Sequence, residues 1–368
     1  MKLLGLKRNT TSFIYFVLFA VPFIFGAMWQ SRENNPFISK LPLINSITNL
    51  PSGSNSLLYI GFQLFLFTFP IFLISILELQ KANGTLKNRF LSTSLGRIYY
   101  SKGHKFADLW YSAAELIFNK LPEFITFLTL GISIFNSKVS VWFTTFYSNT
   151  LNIPSSPIIS LVIFLTALLL NNLISYLDHR IAHQVPFLWD LHELHHSPTE
   201  MTMLSKDRKT PFDNIFFAVI STPFIALCSL LTAEYLKQGF ILPLVIYILY
   251  VTLDNIHSWV GHSSYRLVYP KPFNYILMSP SLHWIHHSSN PKHFRSNFGN
   301  TITLWDKVFN TYLDETHLEE IKSYGFKNSE YNLHHPIYSL IFLPIIKMKK
   351  RLVKINKRTR RRIASSRN

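Results

Sequence analysis

Apolar positions in this chain are gathered into long runs and are not alternated along short ones. Runs of about 20 apolar residues have the length that crosses a hydrocarbon layer as an α-helix. Such runs stand at 12–29, 57–79, 158–177, 215–232 and 240–256, and a less regular one at 124–147 is interrupted by Asn136-Ser137-Lys138. Between them lie a polar stretch at 30–56, a basic one at 80–120 and a second polar one at 197–213. Pro154 and Pro157 open the 158–177 run, and Pro186 breaks the helical pattern just beyond it. The region 257–335 is polar, aromatic and punctuated by Pro270, Pro272, Pro280 and Pro291, so it reads as a cap folded over helix ends. The segment 336–346 is too short to span and suits the membrane interface. The expected fold is an all-α integral membrane protein with about four to six transmembrane helices and a cytosolic histidine-rich cap.

Composition agrees with that pattern. The 368 residues are 48% hydrophobic and only 15% charged, well under the globular norm of about 25%. The formal net charge is +17, and eleven of the Lys and Arg residues fall between Lys347 and Arg367 in a tail without acids. Such a tail is either solvated or drawn to anionic lipid, at about 1 kcal/mol per basic residue near the surface. Tethering to a membrane makes nucleic acid an unexpected partner. Cys228 is the single cysteine, which excludes an intrachain disulfide and any cysteine-based zinc or iron–sulfur site. The 12–29 run follows Lys2, Lys7 and Arg8 and lacks a small-residue cleavage site, so it reads as an uncleaved anchor.

Lys and Arg favour the cytoplasmic side. With the basic N-terminus inside, alternate crossings place the 80–120 segment, every histidine cluster and the basic tail on the same cytosolic face. The membrane expected is a bacterial inner membrane or the endoplasmic reticulum.

Eleven of the fifteen histidines lie between His179 and His293. His179 and His183 are four residues apart. His192, His195 and His196 follow, and His283, His286 and His287 repeat the same three-and-four spacing. Residues so spaced share one face of a helix, so each box is expected to aim its rings at one point. Neutral imidazole is an apt ligand for iron, zinc, copper or nickel. Eight converging rings exceed the needs of one tetrahedral zinc and suit two metals. Two other chemistries share some of the pattern. His192-Glu193-Leu194-His195-His196 matches H-E-x-x-H, with Glu193 as the base of a membrane zinc hydrolase or peptidase, but that assignment leaves His179, His183, His195 and the third box without a role. A non-catalytic protein that stores or senses metal is the other.

The order H-x3-H, H-x2-H-H, H-x2-H-H, followed by Asn297-Phe298-Gly299 and Leu304-Trp305-Asp306-Lys307-Val308-Phe309, resembles the fatty acid hydroxylase/sterol desaturase superfamily from about 178 to 313. Three features depart from its usual pattern: Ser296 where an Asp often stands, Asn310-Thr311 for Gly-Thr, and Arg208-Lys209-Thr210-Pro211 for R-x-H-P. The resemblance implies a membrane oxidoreductase that uses two iron ions and O₂ to hydroxylate or desaturate a lipid C–H bond in a fatty acyl chain, a sterol or a related lipid. Zinc would be its substitute on purification. It also implies that His179, His183, His192, His195, His196, His283, His286 and His287 are metal ligands, joined by His262 and by His257. The last two are five residues apart and need a bend at Gly261 if both bind. Asp178, Asp190, Glu193 and Asp254 are candidates to orient the rings. Trp189 and Trp284 flank the boxes and are candidate pocket walls. His293 reads as a surface or supporting residue, His334-His335 as a polar turn, and His104 and His317 as surface residues.

The chain carries no G-x-G-x-x-G, haem or iron–sulfur motif, so electrons are expected from a separate cytochrome b5-like or ferredoxin-like donor docked on the basic face. The implied organisation is an N-terminal membrane region at 1–150, a catalytic domain at 151–315 and a C-terminal segment at 316–368.

Overall fold

In a computed structural model of the chain, residues 70–100, 107–120, 156–210, 242–326 and 329–365 are described, together with scattered positions at 68, 142–150, 213 and 221–231. The predicted span at 12–29, the greater part of that at 124–147, the first part of that at 57–79 and the start of that at 215–232 lie outside them.

The described residues are helical and form no sheet, only isolated bridges such as Leu277 with Ile302. A helical stretch over 70–81 is followed by α1 (Leu86–Ser92), α2 (Ser94–Tyr100) and α3 (Ala107–Lys120). The frame of the molecule is α4 (Pro157–Gln184) and α6 (Leu242–Gly261), with α5 (Pro186–His192) between them in sequence. Short helices α7 (Phe273–Ile276), α8 (Leu282–His286) and α9 (Leu304–Val308) build the cap, and α10 (Pro336–Ser365) closes it. Among the described residues one helix is long and apolar enough to cross a membrane, Leu161–Gln184 within α4. The predicted span at 240–256 is helical in α6 from Leu242 onward.

The turn between α4 and α5 follows from Pro186, whose ring cannot continue the first helix and whose fixed φ suits the first turn of the second. Val185 is extended there, at φ −93° and ψ 114°. The chain therefore folds back and α5 packs along α4. Phe164 and Ala167 of α4 pack with Cys228 and Leu231 in one apolar cluster. Under the cap, Ile256, Trp259 and Val260 of α6 pack with Ile74, Ile98, Met203 and Leu204.

The polar stretch 197–213 separates the runs as expected but is largely buried. Its polar groups are paired instead of solvated. The Arg208 Nε donates to Asp108 Oδ1 at 2.5 Å, and Arg208 Nη1 donates to Ser197 Oγ at 3.0 Å and Asn332 Oδ1 at 3.2 Å. Thr202 also donates to Asp108, and Ser112 donates to Asp207. Glu78 is likewise buried and accepts from the amides and hydroxyls of both Ser94 and Ser264, which ties the 70–81 stretch to the cap.

The basic tail, expected to be either solvated or drawn to anionic lipid, is helical and partly docked. It continues the 336–346 segment as the single helix α10, in which Arg351 donates to both oxygens of Asp190 at 2.6 Å and Lys347 to Glu193 at 2.7 Å. On its other side Tyr338, Phe342, Ile345 and Leu352 are exposed. Their spacing of four, three and seven residues makes one apolar stripe, the form of an interfacial helix.

Removing one partner of a buried ion pair strands the other charge and costs about 3–5 kcal/mol. Arg208→Ala should therefore lower the denaturation midpoint in detergent strongly, because Asp108 is only 5% exposed. A midpoint equal to that of the wild type would show that Asp108 finds another partner.

Candidate metal centre

Four elements bring the histidines together. The last two turns of α4 carry His179 and His183. The end of α5 and the turn after it carry His192, His195 and His196. His262 stands just beyond Gly261, and α8 with its terminal residue carries His283, His286 and His287. The rings sort into two groups. In the first, His179, His183, His192, His196 and His286 place one nitrogen each within 4.8 Å of all the others; in the second, His195, His262, His283 and His287 do the same.

This division differs from the expectation that each box serves one point. Each pair four residues apart stays together: 179 with 183, 192 with 196, 283 with 287. The remaining member of each later box, His195 or His286, points to the opposite group. An advance of four residues nearly completes a helical turn, whereas the third residue of a box lies well off that line. The chain from 193 to 196 has also left the regular helix, which widens the divergence. His257 is buried, with its ring centroid 5.2 Å from that of His283, and stands outside both groups. Helix α6 ends between His257 and His262. At Gly261 an added Cβ would lie 3.1 Å from Pro280 O and 3.3 Å from His283 Cβ, so the glycine permits the helix end to approach the third box.

The ring nitrogens meet the test for a cation site. In the first group the Nε2 atoms of His179, His183, His192, His196 and His286 are all buried without a partner. The tautomer of three of these rings is set from outside. His179 Nδ1 donates to Phe298 O at 2.9 Å, His192 Nδ1 to Asp213 at 3.0 Å, and His286 Nδ1 to Ser296 O at 2.8 Å. An Nδ1 proton held in this way leaves a lone pair on Nε2, directed inward. In the second group His262 Nδ1 donates to Ser258 O at 2.7 Å. There the Nε2 atom of His262 lies 3.3 Å from that of His195 and 3.2 Å from that of His283, which is 2.9 Å from that of His287. Metal–nitrogen bonds of about 2.0–2.1 Å in a tetrahedron set ligand atoms about 3.4 Å apart, so this spacing fits a cation between them. Burial, reinforced by the neighbouring rings, holds His195, His196, His283 and His287 well below the ordinary imidazole value. Burial also lowers His286 and His262 to about 3. Neutral rings are the ligating form.

Several supporting residues escape sequence reasoning. Asp213, at the end of the polar stretch, orients His192; among the four acids expected in such roles, Asp190 and Glu193 instead pair with α10, and Asp254 accepts from Thr301 at 2.9 Å. Glu193, the base of the H-E-x-x-H reading, is ion-paired with Lys347 Nζ at 2.7 Å. Asp306 acts at one remove. It accepts from the amides of Phe298 and Gly299 at 2.9 and 2.8 Å and from the Thr311 hydroxyl at 2.7 Å, which fixes the loop whose Phe298 carbonyl holds His179. Gly299 is required for that approach, since an added Cβ would meet Asp306 Oδ2 and Ile302 O at 2.7 Å. Asn310, standing where a glycine is usual, has φ 55°, a conformation that asparagine tolerates better than most residues. Ser296 contributes its backbone carbonyl, which any residue would supply.

Two cavities reach the rings from different sides. One, of about 360 Å³, lies between α4 and α6. Leu168, Cys228 and Val251 line it together with the polar Asn171, Ser175 and Asp254, and it touches His179, His192, His195 and His283. The other, of about 490 Å³, reaches His183, His196, His286 and His287 and is lined by Trp189, Phe326, Arg295 and Arg351. Trp189 thus walls a cavity, with its ring centroid 5.1 Å from His183 and 5.5 Å from His196. Trp284 packs instead against the Met278, Leu282 and Ile285 cluster. His293 is buried, where a surface or supporting position was expected, and His334 and His335 are exposed. His104 lies outside the described residues.

Residues 164–311 match the fatty acid hydroxylase family, which supports the resemblance carried by the histidine boxes. Similar proteins include the alkylglycerol monooxygenases of Caenorhabditis elegans, 28% identical over 44% of this chain and 29% of the relative, and of Xenopus tropicalis, 26% identical over 44% and 31%. An ornithine lipid hydroxylase of Rhizobium tropici is 28% identical over 37% of this chain and 38% of its own length. The chain thus spans about a third of the length of these relatives. No solved structure matches.

Outer partners of ligating histidines change metal affinity by about 10–100-fold when removed. Asp213→Ala should weaken metal retention by the first group by that factor and spare the second, as measured by metal competition with a chelator; equal loss from both groups would contradict the division. A second prediction concerns Asp306, whose carboxyl burial pushes up to about 6 against the pull of Thr311, Gly299 and Phe298. A folded-state value above the unfolded one means that its stabilising contribution is full below about pH 4 and is lost as the pH rises through about 6. Asp306→Asn should remove that slope from the stability–pH curve, whereas an unchanged slope would assign it to another group.

Proposed function

We propose that this chain is a membrane-bound, O₂-dependent lipid hydroxylase whose catalytic domain, within 151–315, holds two iron ions in its two histidine groups. The observation that carries the reading is the set of buried, inward-facing Nε2 atoms whose tautomers are fixed by donation from Nδ1. The ligands proposed are His179, His183, His192, His196 and His286 for one ion and His195, His262, His283 and His287 for the other, with His257 beside the second. When bound, the iron pair would supply O₂ activation and attack on an unactivated C–H bond.

The protein's own residues bind, orient and exclude water. Phe298 O, Asp213, Ser296 O and Ser258 O hold the Nδ1 protons throughout, so the rings stay neutral and fixed. The cavity between α4 and α6 suits a lipid entering from the bilayer, with its chain against Leu168 and Val251 and its polar part near Asn171, Ser175 and Asp254. That lining favours a substrate that reacts close to its polar head. The relatives are named as a monooxygenase of alkylglycerol and a hydroxylase of ornithine lipid, which favours hydroxylation over desaturation. Each turnover inserts one oxygen atom into C–H and reduces the other to water, consuming two electrons and two protons. A separate acidic donor of the cytochrome b5 or ferredoxin type would approach the second cavity, past Arg295 and Arg351 and opposite the lipid. The location proposed is an integral membrane with this face in the cytosol.

Protein purified from iron-replete cells should carry close to two irons per chain. Membranes supplied with heavy-isotope dioxygen and a reducing system should yield labelled hydroxylated lipid, detected by mass spectrometry. His286→Ala should abolish the label with the chain still folded. Zinc alone, with lipid products that carry no label from dioxygen, would sink the reading.

A further inference from the structure

A third cluster of metal-ligating side chains lies outside both histidine groups. His293 closes the 3₁₀ turn Pro291–His293, and His317 and Glu320 sit three residues apart in the 3₁₀ turn Glu315–Glu320. Three residues complete one turn of such a helix, so His317 and Glu320 are stacked on the same side. The two carboxylate oxygens of Glu320 reach different rings: Oε1 lies 3.0 Å from His317 Nδ1 and Oε2 lies 3.3 Å from His293 Nε2. One donor atom from each residue falls within 4.8 Å of the other two.

The surroundings of His293 are not those of a simple ion pair. Its side chain is fully buried, and its Nδ1 has no partner. The Asn290 side-chain amide stands 3.5 Å from His293 Nε2 on its donating side, and its oxygen is already engaged by the Lys292 N–H at 3.1 Å. His293 Nε2 therefore faces an amide donor as well as a carboxylate oxygen, and a ring that meets both with its lone pair carries its proton on Nδ1. Two electron-rich atoms at this separation, with a third ring nitrogen beyond, have the spacing of ligands around a cation with bonds of about 2.0–2.2 Å.

We infer that His293, His317 and Glu320 form a third divalent-cation site, of zinc class, separate from the two histidine groups. Two imidazoles and one carboxylate suit zinc better than the oxygen-seeking calcium or magnesium. The fourth position would be taken by water, because the His317 and Glu320 side chains remain 34% and 41% exposed. Such an ion would clamp the turn after the third box to the Glu315–Glu320 turn. The clamped turn immediately precedes Ser296, whose carbonyl orients His286 and whose hydroxyl donates to His293 O at 2.6 Å. The site does not depend on the reaction proposed above.

The test counts zinc in full-length protein that already carries its resident metals. Wild type, His317→Ala, Glu320→Gln and Glu320→His are equilibrated with zinc buffered at nanomolar free concentration, desalted and analysed by mass spectrometry. The altered side chains are partly exposed, and the iron content of each preparation checks that the chain is folded. Wild type and Glu320→His, which retains a ligand, should each hold one zinc more than His317→Ala and Glu320→Gln. His286→Ala should keep that zinc while its iron falls. Equal zinc in wild type, His317→Ala and Glu320→Gln would overturn the assignment, as would loss of the extra zinc in His286→Ala.

Discussion

The structure depends on the burial of imidazole nitrogens with their lone pairs facing one another. A buried polar atom without a partner is costly, and the first group alone contains five such atoms. Protonation does not relieve this, since charged rings at these separations repel and have lost their solvent. The surrounding residues settle the matter by holding protons on the outward nitrogens. Much of the cap serves that end: Asp306 fixes the Phe298 loop, Asn297 donates to Leu282 O and Leu313 O, and the Arg208–Asp108 pair holds the segment leading to Asp213.

Helical periodicity then divides the ligands. Pairs four residues apart stay together, and the third member of each later box crosses over. The two groups are interlaced as a result, with the second and third boxes contributing to both. His196 and His287, from different groups, are stacked with ring centroids 4.4 Å apart. The separation between the groups is therefore set by local backbone geometry at Glu193–His196 and along α8, not by the placement of remote domains.

Much of this was legible in the sequence because ligand chemistry and helical spacing are local properties. The three boxes and the break at Pro186 could be read directly. The crossing of His195 and His286 was not legible, because it depends on where the regular helix stops. Asp213 and Asp306 were missed as orienting groups because their partners are 21 and 8 residues away and nothing in their immediate neighbours marks them. The α10 helix was hidden by its charge. Eleven basic residues suggest a solvated tail, and only the pairing with Asp190 and Glu193 shows that one side of it is docked.

The interlacing has a consequence for biosynthesis. The second group lacks half of its nitrogens until α8 supplies His283 and His287, whereas the first already has four of its five and gains only His286. During synthesis the first two boxes emerge roughly ninety residues before the third, on a chain whose α4 has already formed. In that interval the early histidines are an open, incomplete chelator exposed to whatever cation the cell offers. Both groups are thus complete only late in synthesis, and a chain stalled between residues 200 and 280 would present four histidines of the first group without their partners on α8.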